Sequence, residues 1–97
     1  MTQSESWKVV LTKPAFRDLE YWQKANPGVY QKTLEILELL KTEPLNLNTV
    51  GKPEWLKHNL TGCMSRRITK SDRCVYRVFA EEKIIQVLQL RHHYTTN

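Results

Sequence analysis

The sequence has little of what marks exported, membrane-bound or disulfide-stabilised proteins. It contains only two cysteines, Cys63 and Cys74, and three glycines in 97 residues. No apolar run approaches the roughly 20 residues that a membrane span requires. The opening residues, MTQSESWKVV, lack a basic region followed by an apolar stretch of signal length. We therefore expect a soluble, cytoplasmic chain whose thiols stay reduced and buried.

Internal repeats, low-complexity tracts and linkers are absent as well. A chain of 97 residues with 40% hydrophobic content can bury about 65% of its unfolded surface, which suffices for one core without a disulfide. The three histidines and two cysteines lack the spacing of a zinc site. We expect one domain over residues 1–97, with no metal and no cofactor.

Net charge is confined to one half of the chain. In residues 1–50, six Lys or Arg side chains balance six Asp or Glu side chains, whereas in residues 51–97 nine Lys or Arg side chains exceed four Asp or Glu. The second half therefore carries the whole formal charge of +5. This asymmetry is typical of a phosphate-binding surface, although a basic face without a ligand has the same composition.

The first half of the sequence predicts a strand followed by two helices. Residues 7–13, WKVVLTK, are rich in β-branched side chains and predict the strand. Apolar side chains then recur at intervals of three within residues 14–25, which predicts an amphipathic helix. Asn26 is suited to cap a second helix over residues 27–42, whose apolar side chains line one face.

The second half predicts an antiparallel meander. Strand signals cover residues 55–60, 63–69, 73–80 and 83–94, separated by short turn-like segments. The whole chain is then an α+β domain with an N-terminal strand, a two-helix hairpin and an antiparallel sheet of hairpins. Its helices pack on one face of the sheet.

Side-chain alternation along these strands indicates which cations share a face. Within residues 73–80 it puts both arginines on one face and leaves the other face to pack on the helices. Arg66 and Arg67 must point to opposite faces, so at most one of them reaches a site directly. A two-residue turn at Thr61-Gly62 would set Lys57 opposite Arg66 rather than Arg67.

The same half contains the three kinds of group that metal-free RNA cleavage requires. These are a base for the 2′-hydroxyl, cations for the phosphate and an acid for the leaving 5′ oxygen. Glu54 can supply the base, and His92 or His93 the acid. Arginine suits the phosphate because its planar fork holds two oxygens and stays charged. The candidate cations are Lys57, Arg66, Arg67, Arg73 and Arg77.

Each of these residues, taken alone, has a simpler explanation. A single glutamate before a strand in a basic domain, such as Glu54, is more often a surface charge. His58 shares strand parity with Leu56 and Leu60, so we expect it to pack rather than to bind. The three tryptophans are most simply explained by core or rim packing, and RHHY at 91–94 by a solvated tail.

Several motifs together resemble one protein family. GKPEWLKHNLTGCMSRRIT at 51–69, RCVYRV at 73–78 and RHHY at 91–94 are similar to the YoeB/Txe branch of the RelE superfamily. YWQ at 21–23 extends the resemblance over nearly the whole chain. That branch comprises ribosome-dependent mRNA endonuclease toxins of bacterial toxin–antitoxin modules. The resemblance implies a RelE-like microbial RNase fold, with the active face on the concave side of the sheet.

The resemblance also implies roles for individual residues. The glutamate of KPE falls on Glu54 as general base, and the arginine of RCVYRV falls on Arg73 as the phosphate and transition-state contact. The HHY end falls on His93 as general acid and on Tyr94, which orients the substrate base or stacks on it. The implied products are a 2′,3′-cyclic phosphate and a 5′-hydroxyl.

Two further cations match RNA-binding positions of the family, and two residues depart from its pattern. Lys57 and Arg67 match positions that hold RNA or the reacting phosphate, and the choice of Arg67 over Arg66 rests on this match. Trp55 stands where a proline or another residue commonly follows the glutamate, and His92 replaces an aromatic residue.

Partners follow from the resemblance too. It implies a cognate acidic antitoxin of YefM/Phd-like type, the ribosome with its mRNA, and operator DNA through the antitoxin complex. It allows a homodimer and involves no membrane. The alternative function is a catalytically silent basic module that binds RNA, or one that acts with the antitoxin as a co-repressor. The joint presence of Glu54 and His93 favours the enzyme, because binding alone needs neither.

Overall fold

The computed structural model describes residues 6–93 and contains two helices and one five-stranded sheet. The strands lie in the order β1-β5-β4-β3-β2. The predicted α+β arrangement is confirmed. In chain order the elements are β1 Lys8–Leu11, α1 Lys13–Ala25, α2 Pro27–Leu39, β2 Glu54–Trp55, a 3₁₀ turn His58–Leu60, β3 Cys63–Arg67, β4 Arg73–Phe79 and β5 Ile84–Gln89.

Two polar residues, Thr12 and Asn26, cap the helices. The Oγ1 of Thr12 accepts a hydrogen bond from the N–H of Ala15 at 3.3 Å and caps α1. Asn26 ends α1 and caps α2, because its Oδ1 accepts from the N–H of Val29 at 3.2 Å, and the predicted cap is thereby confirmed. Each helix has 13 residues, and within residues 6–93 neither is long or apolar enough to cross a membrane.

The first strand joins the sheet in a way that the sequence did not predict. β1 pairs in parallel with β5, with Val9 opposite Ile85, whereas all other neighbouring strands are antiparallel. A parallel pair needs a long crossover between its strands. Here residues 12–83, which hold both helices and strands β2, β3 and β4, form the crossover. The antiparallel meander therefore comprises β2 to β5, and the parallel β1 makes the sheet mixed.

The main core lies between the helices and one face of the sheet. Fully buried side chains from β3, β4 and β5 meet Ala15 of α1 and Ile36 of α2. The sheet side chains include Met64, Cys74, Tyr76, Ile85 and Val87. This burial of apolar surface is the main force that holds the helices on the sheet.

The other face of the sheet, called the open face below, is turned away from both helices. Its middle is apolar, because Leu56, Cys63 and Val75 form a small second cluster with Leu60 and Leu88. Side-chain alternation predicted that arginines lie on this face, but it did not predict the apolar cluster between them. The two cysteines lie in different clusters, and both are buried and free, as predicted.

The segment before β3 differs from its prediction. β2 is only two residues long, with Glu54 opposite Ser65, and the backbone then leaves the sheet for the 3₁₀ turn. The predicted register between Lys57 and Arg66 is therefore wrong. The packing expected for His58 is also wrong, since its side chain is exposed and its φ is +61°.

The last strand is shorter than predicted. β5 ends at Gln89 rather than continuing to residue 94. Residues 90–92 follow as bends, and other contacts described below hold them in place.

Candidate active site

Two arginines lie side by side at one end of the open face. Arg67, the last residue of β3, is directly opposite Arg73, the first residue of β4. The Cβ atoms of directly opposite residues are about 4.5–5.5 Å apart in antiparallel pairs, and like charges at this spacing repel each other. The pair is thus a local concentration of positive charge suited to an anion.

Glu54 lies on the neighbouring strand of the same face. It is exposed and sits opposite Ser65, two residues before Arg67 on β3. Diagonal neighbours of this kind have Cα atoms about 7–8 Å apart. A carboxylate and two guanidinium groups therefore share one end of the open face.

Backbone contacts on the turn before β4 orient Arg73. Its Nη1 donates to the carbonyl oxygens of Thr69 at 3.2 Å, Lys70 at 3.4 Å and Asp72 at 3.3 Å. Its Nε and Nη2 donate no hydrogen bond to any residue within 6–93. This edge is the planar fork with which arginine binds two oxygens of a phosphate.

The carboxyl-terminal segment is fastened to the same turn. The N–H of His92 donates to Oδ1 of Asp72 at 2.7 Å, and the carbonyl of His92 accepts from the N–H of Arg73 at 3.0 Å. Oδ2 of Asp72 accepts from the Thr69 hydroxyl at 2.6 Å. His93 is the next residue and is exposed, so it emerges beside the start of β4.

Helix α1 holds the chain just before this point. The N–H of Leu90 donates to Oδ2 of Asp18 at 3.0 Å, and the indole Nε1 of Trp22 donates to the carbonyl of Leu90 at 2.8 Å. The guanidinium of Arg91 lies over the ring of Tyr21, 3.5 Å from its centroid. Tyr21 and Trp22 of the YWQ motif thus hold the segment that leads to His93.

Comparison with known proteins identifies the family. A family model described as a YoeB-like toxin of bacterial type II toxin–antitoxin systems matches residues 11–94. Toxin YoeB of Escherichia coli O6:H1 is 37% identical over 87 residues, which cover 90% of this chain and 99% of that protein. The chain belongs to the YoeB-like toxin family.

Solved structures of YoeB-like toxins have the same fold. The YoeB/ParE toxin from Agrobacterium tumefaciens superposes with a TM-score of 0.82 at 37% identity, covering 90% of this chain and 99% of that one. YoeB from Staphylococcus aureus, in its complex with YefM, superposes with a TM-score of 0.73 at 36% identity, covering 91% and 98% of the two chains. A dimer of the S. aureus protein gives 0.75 at 34% identity, with 91% and 98% covered.

Three of the six site residues predicted for this YoeB-like toxin, Glu54, Arg67 and Arg73, lie at one end of the open face. His93 follows His92, whose carbonyl accepts from the N–H of Arg73 at that end. Lys57 is exposed but lies near Cys63, at the other end of β3. Since a strand rises about 3.3 Å per residue, about 13 Å separate the two ends. Tyr94 lies outside the described residues.

Arg66 has no place on the open face of this YoeB-like toxin. Its side chain points to the helix side of β3 and is 0% exposed. The open question between Arg66 and Arg67 is thereby resolved geometrically, because only Arg67 lies on the face of Glu54 and Arg73. Arg66 is one of the nine cationic residues in the second half of the chain, but because it is buried it adds no charge to the surface.

Sequence reasoning missed two residues that shape this site. Neither Asp72, which lies in the turn-like segment before β4, nor Asp18, which lies within the predicted first helix, was singled out from the sequence. Both carboxylates accept backbone N–H groups of residues 90–92. These contacts join segments 20 and 72 residues apart, so no local pattern could reveal them.

Both cysteines of this toxin are buried thiols. Burial raises the pKa of Cys74 to about 12, against a weaker opposing effect of Arg66. Burial also raises the pKa of Cys63, with Arg77 acting in the opposite direction. Both thiols therefore stay protonated at neutral pH.

Within residues 6–93, no three His, Cys, Asp or Glu side chains are grouped so that they could hold a metal ion.

Proposed function

We propose that this YoeB-like toxin is a ribosome-dependent mRNA endoribonuclease that inhibits translation. The observation that carries the proposal is the Arg67–Arg73 pair with Glu54 diagonal to it, on the face away from the helices. In a chain of this family, a carboxylate beside paired guanidinium groups supports acid–base cleavage of a phosphodiester.

The reaction proposed is an attack of the RNA on itself. Glu54 accepts the proton of a 2′-hydroxyl, the 2′ oxygen bonds to the adjacent phosphorus, and the bond from phosphorus to the 5′ oxygen breaks. His93 donates a proton to that leaving oxygen. The products are a 2′,3′-cyclic phosphate and a 5′-hydroxyl, and no metal takes part.

The cations and Tyr94 would serve the same step. The Nε–Nη2 edge of Arg73 would bind the non-bridging phosphate oxygens as their charge increases in the transition state. Arg67 would add a second positive charge, and Lys57 would hold RNA further along the open face. Tyr94 would orient the substrate base or stack on it.

The exposure of the site supports the proposed need for the ribosome. Glu54, Arg67 and His93 are all exposed, so few groups enclose a substrate. Such an open site positions the substrate poorly by itself. The ribosome would position it by holding the mRNA in an ordered conformation. The toxin would therefore act in the cytoplasm, where translation takes place.

The direct test is primer extension of mRNA on translating ribosomes with the purified chain. We expect cleavage on ribosomes, unchanged by EDTA levels that leave the ribosomes intact, and poor cleavage of the same mRNA free in solution. The Arg73→Ala variant is the control, because it should lack the phosphate contact, and circular dichroism and thermal unfolding check that it keeps the fold. Equal rates on free and ribosome-bound mRNA would contradict the ribosome requirement, and no cleavage at all would contradict the nuclease.

An antitoxin partner is part of the proposal. The basic second half offers a landing surface for an acidic, partly disordered segment that folds on binding. The S. aureus relative forms a complex with YefM, so a YefM/Phd-like antitoxin is the partner proposed here, with operator DNA bound only through the complex. A homodimer like that of the S. aureus protein is proposed as well. Expression of the chain alone should stop growth, and co-expression of the antitoxin should restore it.

A further inference from the structure

Arg66 is the most completely bonded side chain behind the proposed site. It lies on β3 next to Arg67 but points the other way, into the protein, where it is 0% exposed. Its guanidinium donates five hydrogen bonds, here named the Arg66 clasp. The acceptors are Tyr76 Oη at 3.1 Å, Thr49 Oγ1 at 2.6 Å, and the carbonyl oxygens of Val50 at 3.2 Å, Glu43 at 2.7 Å and Pro44 at 3.4 Å.

The five bonds match the five N–H groups that a guanidinium possesses. Four of the five acceptors belong to residues 43–50, a stretch with no helix or strand. The fifth, Tyr76, donates its own hydroxyl to the carbonyl of Pro44 at 2.8 Å. Arg66 and Tyr76 together fasten this stretch to the back of the sheet.

The fastened stretch leads directly to Glu54. Gly51 follows it, and the carbonyl of Gly51 accepts from the N–H of Arg67 at 2.6 Å. Gly51 has φ +91°, and a Cβ there would lie 3.0 Å from both the Cβ of Arg66 and the carbonyl oxygen of Arg67. The chain therefore passes in close contact over β3 just before it enters β2.

Little freedom remains between that contact and the carboxylate. Lys52 is held at φ +49°, and Pro53 is buried with a ring that fixes its φ. Glu54 then pairs with Ser65 on the open face. A shift of residues 43–50 would thus be passed on to Glu54 across the thickness of the sheet.

We propose that Arg66 is a positioning residue for Glu54, acting from the opposite face of β3 through residues 43–53. The proposal rests on the function proposed above, in which Glu54 is the general base. A displacement of about 1 Å at a reacting group can cost on the order of 100-fold in rate. Arg66 itself touches no substrate.

Tyr76→Phe is the variant that tests the clasp. It keeps the buried ring and removes both the acceptor of Arg66 Nε and the donor to Pro44. We expect kcat on ribosome-bound mRNA to fall about 10- to 100-fold while KM stays within about threefold, because binding does not use Glu54. Ile36→Val in α2 is the control for a mild core change outside the Arg66 clasp, and its kcat should stay at the wild-type level.

A double-mutant cycle with Glu54→Gln separates positioning from general loosening. If the clasp acts through Glu54, adding Tyr76→Phe to the Glu54→Gln variant should lower kcat by less than about threefold. If the fold-losses of kcat in the two single variants multiply in the double variant, the proposal is wrong. An unchanged kcat in Tyr76→Phe would do so too.

Hydrogen exchange gives a readout that needs no cleavage. Two amides report on this contact: that of Arg67, bonded to Gly51, and that of Leu56, bonded to Cys63 at 2.9 Å. Both should exchange faster in Tyr76→Phe than in the wild type, while the amides of α1 exchange at the wild-type rate. Unchanged exchange would refute the positioning even if the enzyme cleaves. Faster exchange in a chain that cleaves nothing would support the positioning and refute the proposed function instead. Thr49→Val, which removes one acceptor, serves the same test if Tyr76→Phe does not fold.

Discussion

Replacing Asp18 tests how the helix holds the strand end that carries His93. Leu90 is fully buried, and its N–H donates to the Asp18 carboxylate at 3.0 Å. Asp18→Ala leaves that buried donor without an acceptor, which generally costs about 1–3 kcal/mol. Because Asp18 is itself half-buried and partly screened, we expect the lower part of this range, about 1–2 kcal/mol. In a domain of this size, that lowers Tm by about 4–16 °C.

Asp18→Asn is the matched control for this experiment. It retains an oxygen that can accept from Leu90 and should lose less than half as much stability. The measurement is equilibrium urea unfolding of the wild type and both variants, with equal slopes required for the comparison. If Asp18→Ala and Asp18→Asn unfold at the wild-type urea concentration, the helix does not hold this segment, and the account of how His93 is positioned is wrong.

Three further predictions concern the open face and the core. Arg73→Ala should lower kcat more than Arg67→Ala does, because only Arg73 is oriented by contacts on its turn, and single-turnover cleavage on ribosomes compares the two. His93→Gln should remove about 10²- to 10⁴-fold of the rate and leave Tm near the wild-type value, because the side chain is exposed; calorimetry and cleavage together check this. Burial raises the pKa of Cys74 from 9.0 to about 12, so the unfolded chain loses this proton first. Stability should therefore fall by up to about 1.4 kcal/mol per pH unit above pH 9, and urea titrations of Cys74→Ala should show a smaller fall.

Local patterns predicted the parts of the fold that depend on neighbouring residues. The periodicity of α1 and α2, the cap at Asn26 and the alternation in β4 are each properties of a few adjacent side chains. The burial of both cysteines was expected from the general tendency of free thiols to lie inside proteins. The site residues were predicted from the resemblance to a family. In the structure, Glu54, Arg67 and Arg73 lie at one end of the sheet.

The parts that the sequence did not predict depend on contacts between distant segments. The parallel pairing of β1 with β5 joins residues about 76 positions apart, as Val9 and Ile85 do. β2 stops after Trp55 because the backbone turns away to form the 3₁₀ turn. Parity alone placed Arg66 and Arg67 on opposite faces but could not tell which face was buried. The acceptors that bury Arg66 lie at least 10 residues away along the chain.

The central claim is that Glu54 acts as the general base of an RNA-cleaving site. Its most direct test is single-turnover cleavage of ribosome-bound mRNA by Glu54→Gln, with ribosome binding measured in parallel. We expect the Glu54→Gln rate to be about 10²- to 10⁴-fold lower than that of the wild type, with ribosome binding unchanged and with a 2′,3′-cyclic phosphate as the wild-type product. Cleavage by Glu54→Gln at the wild-type rate would contradict the claim.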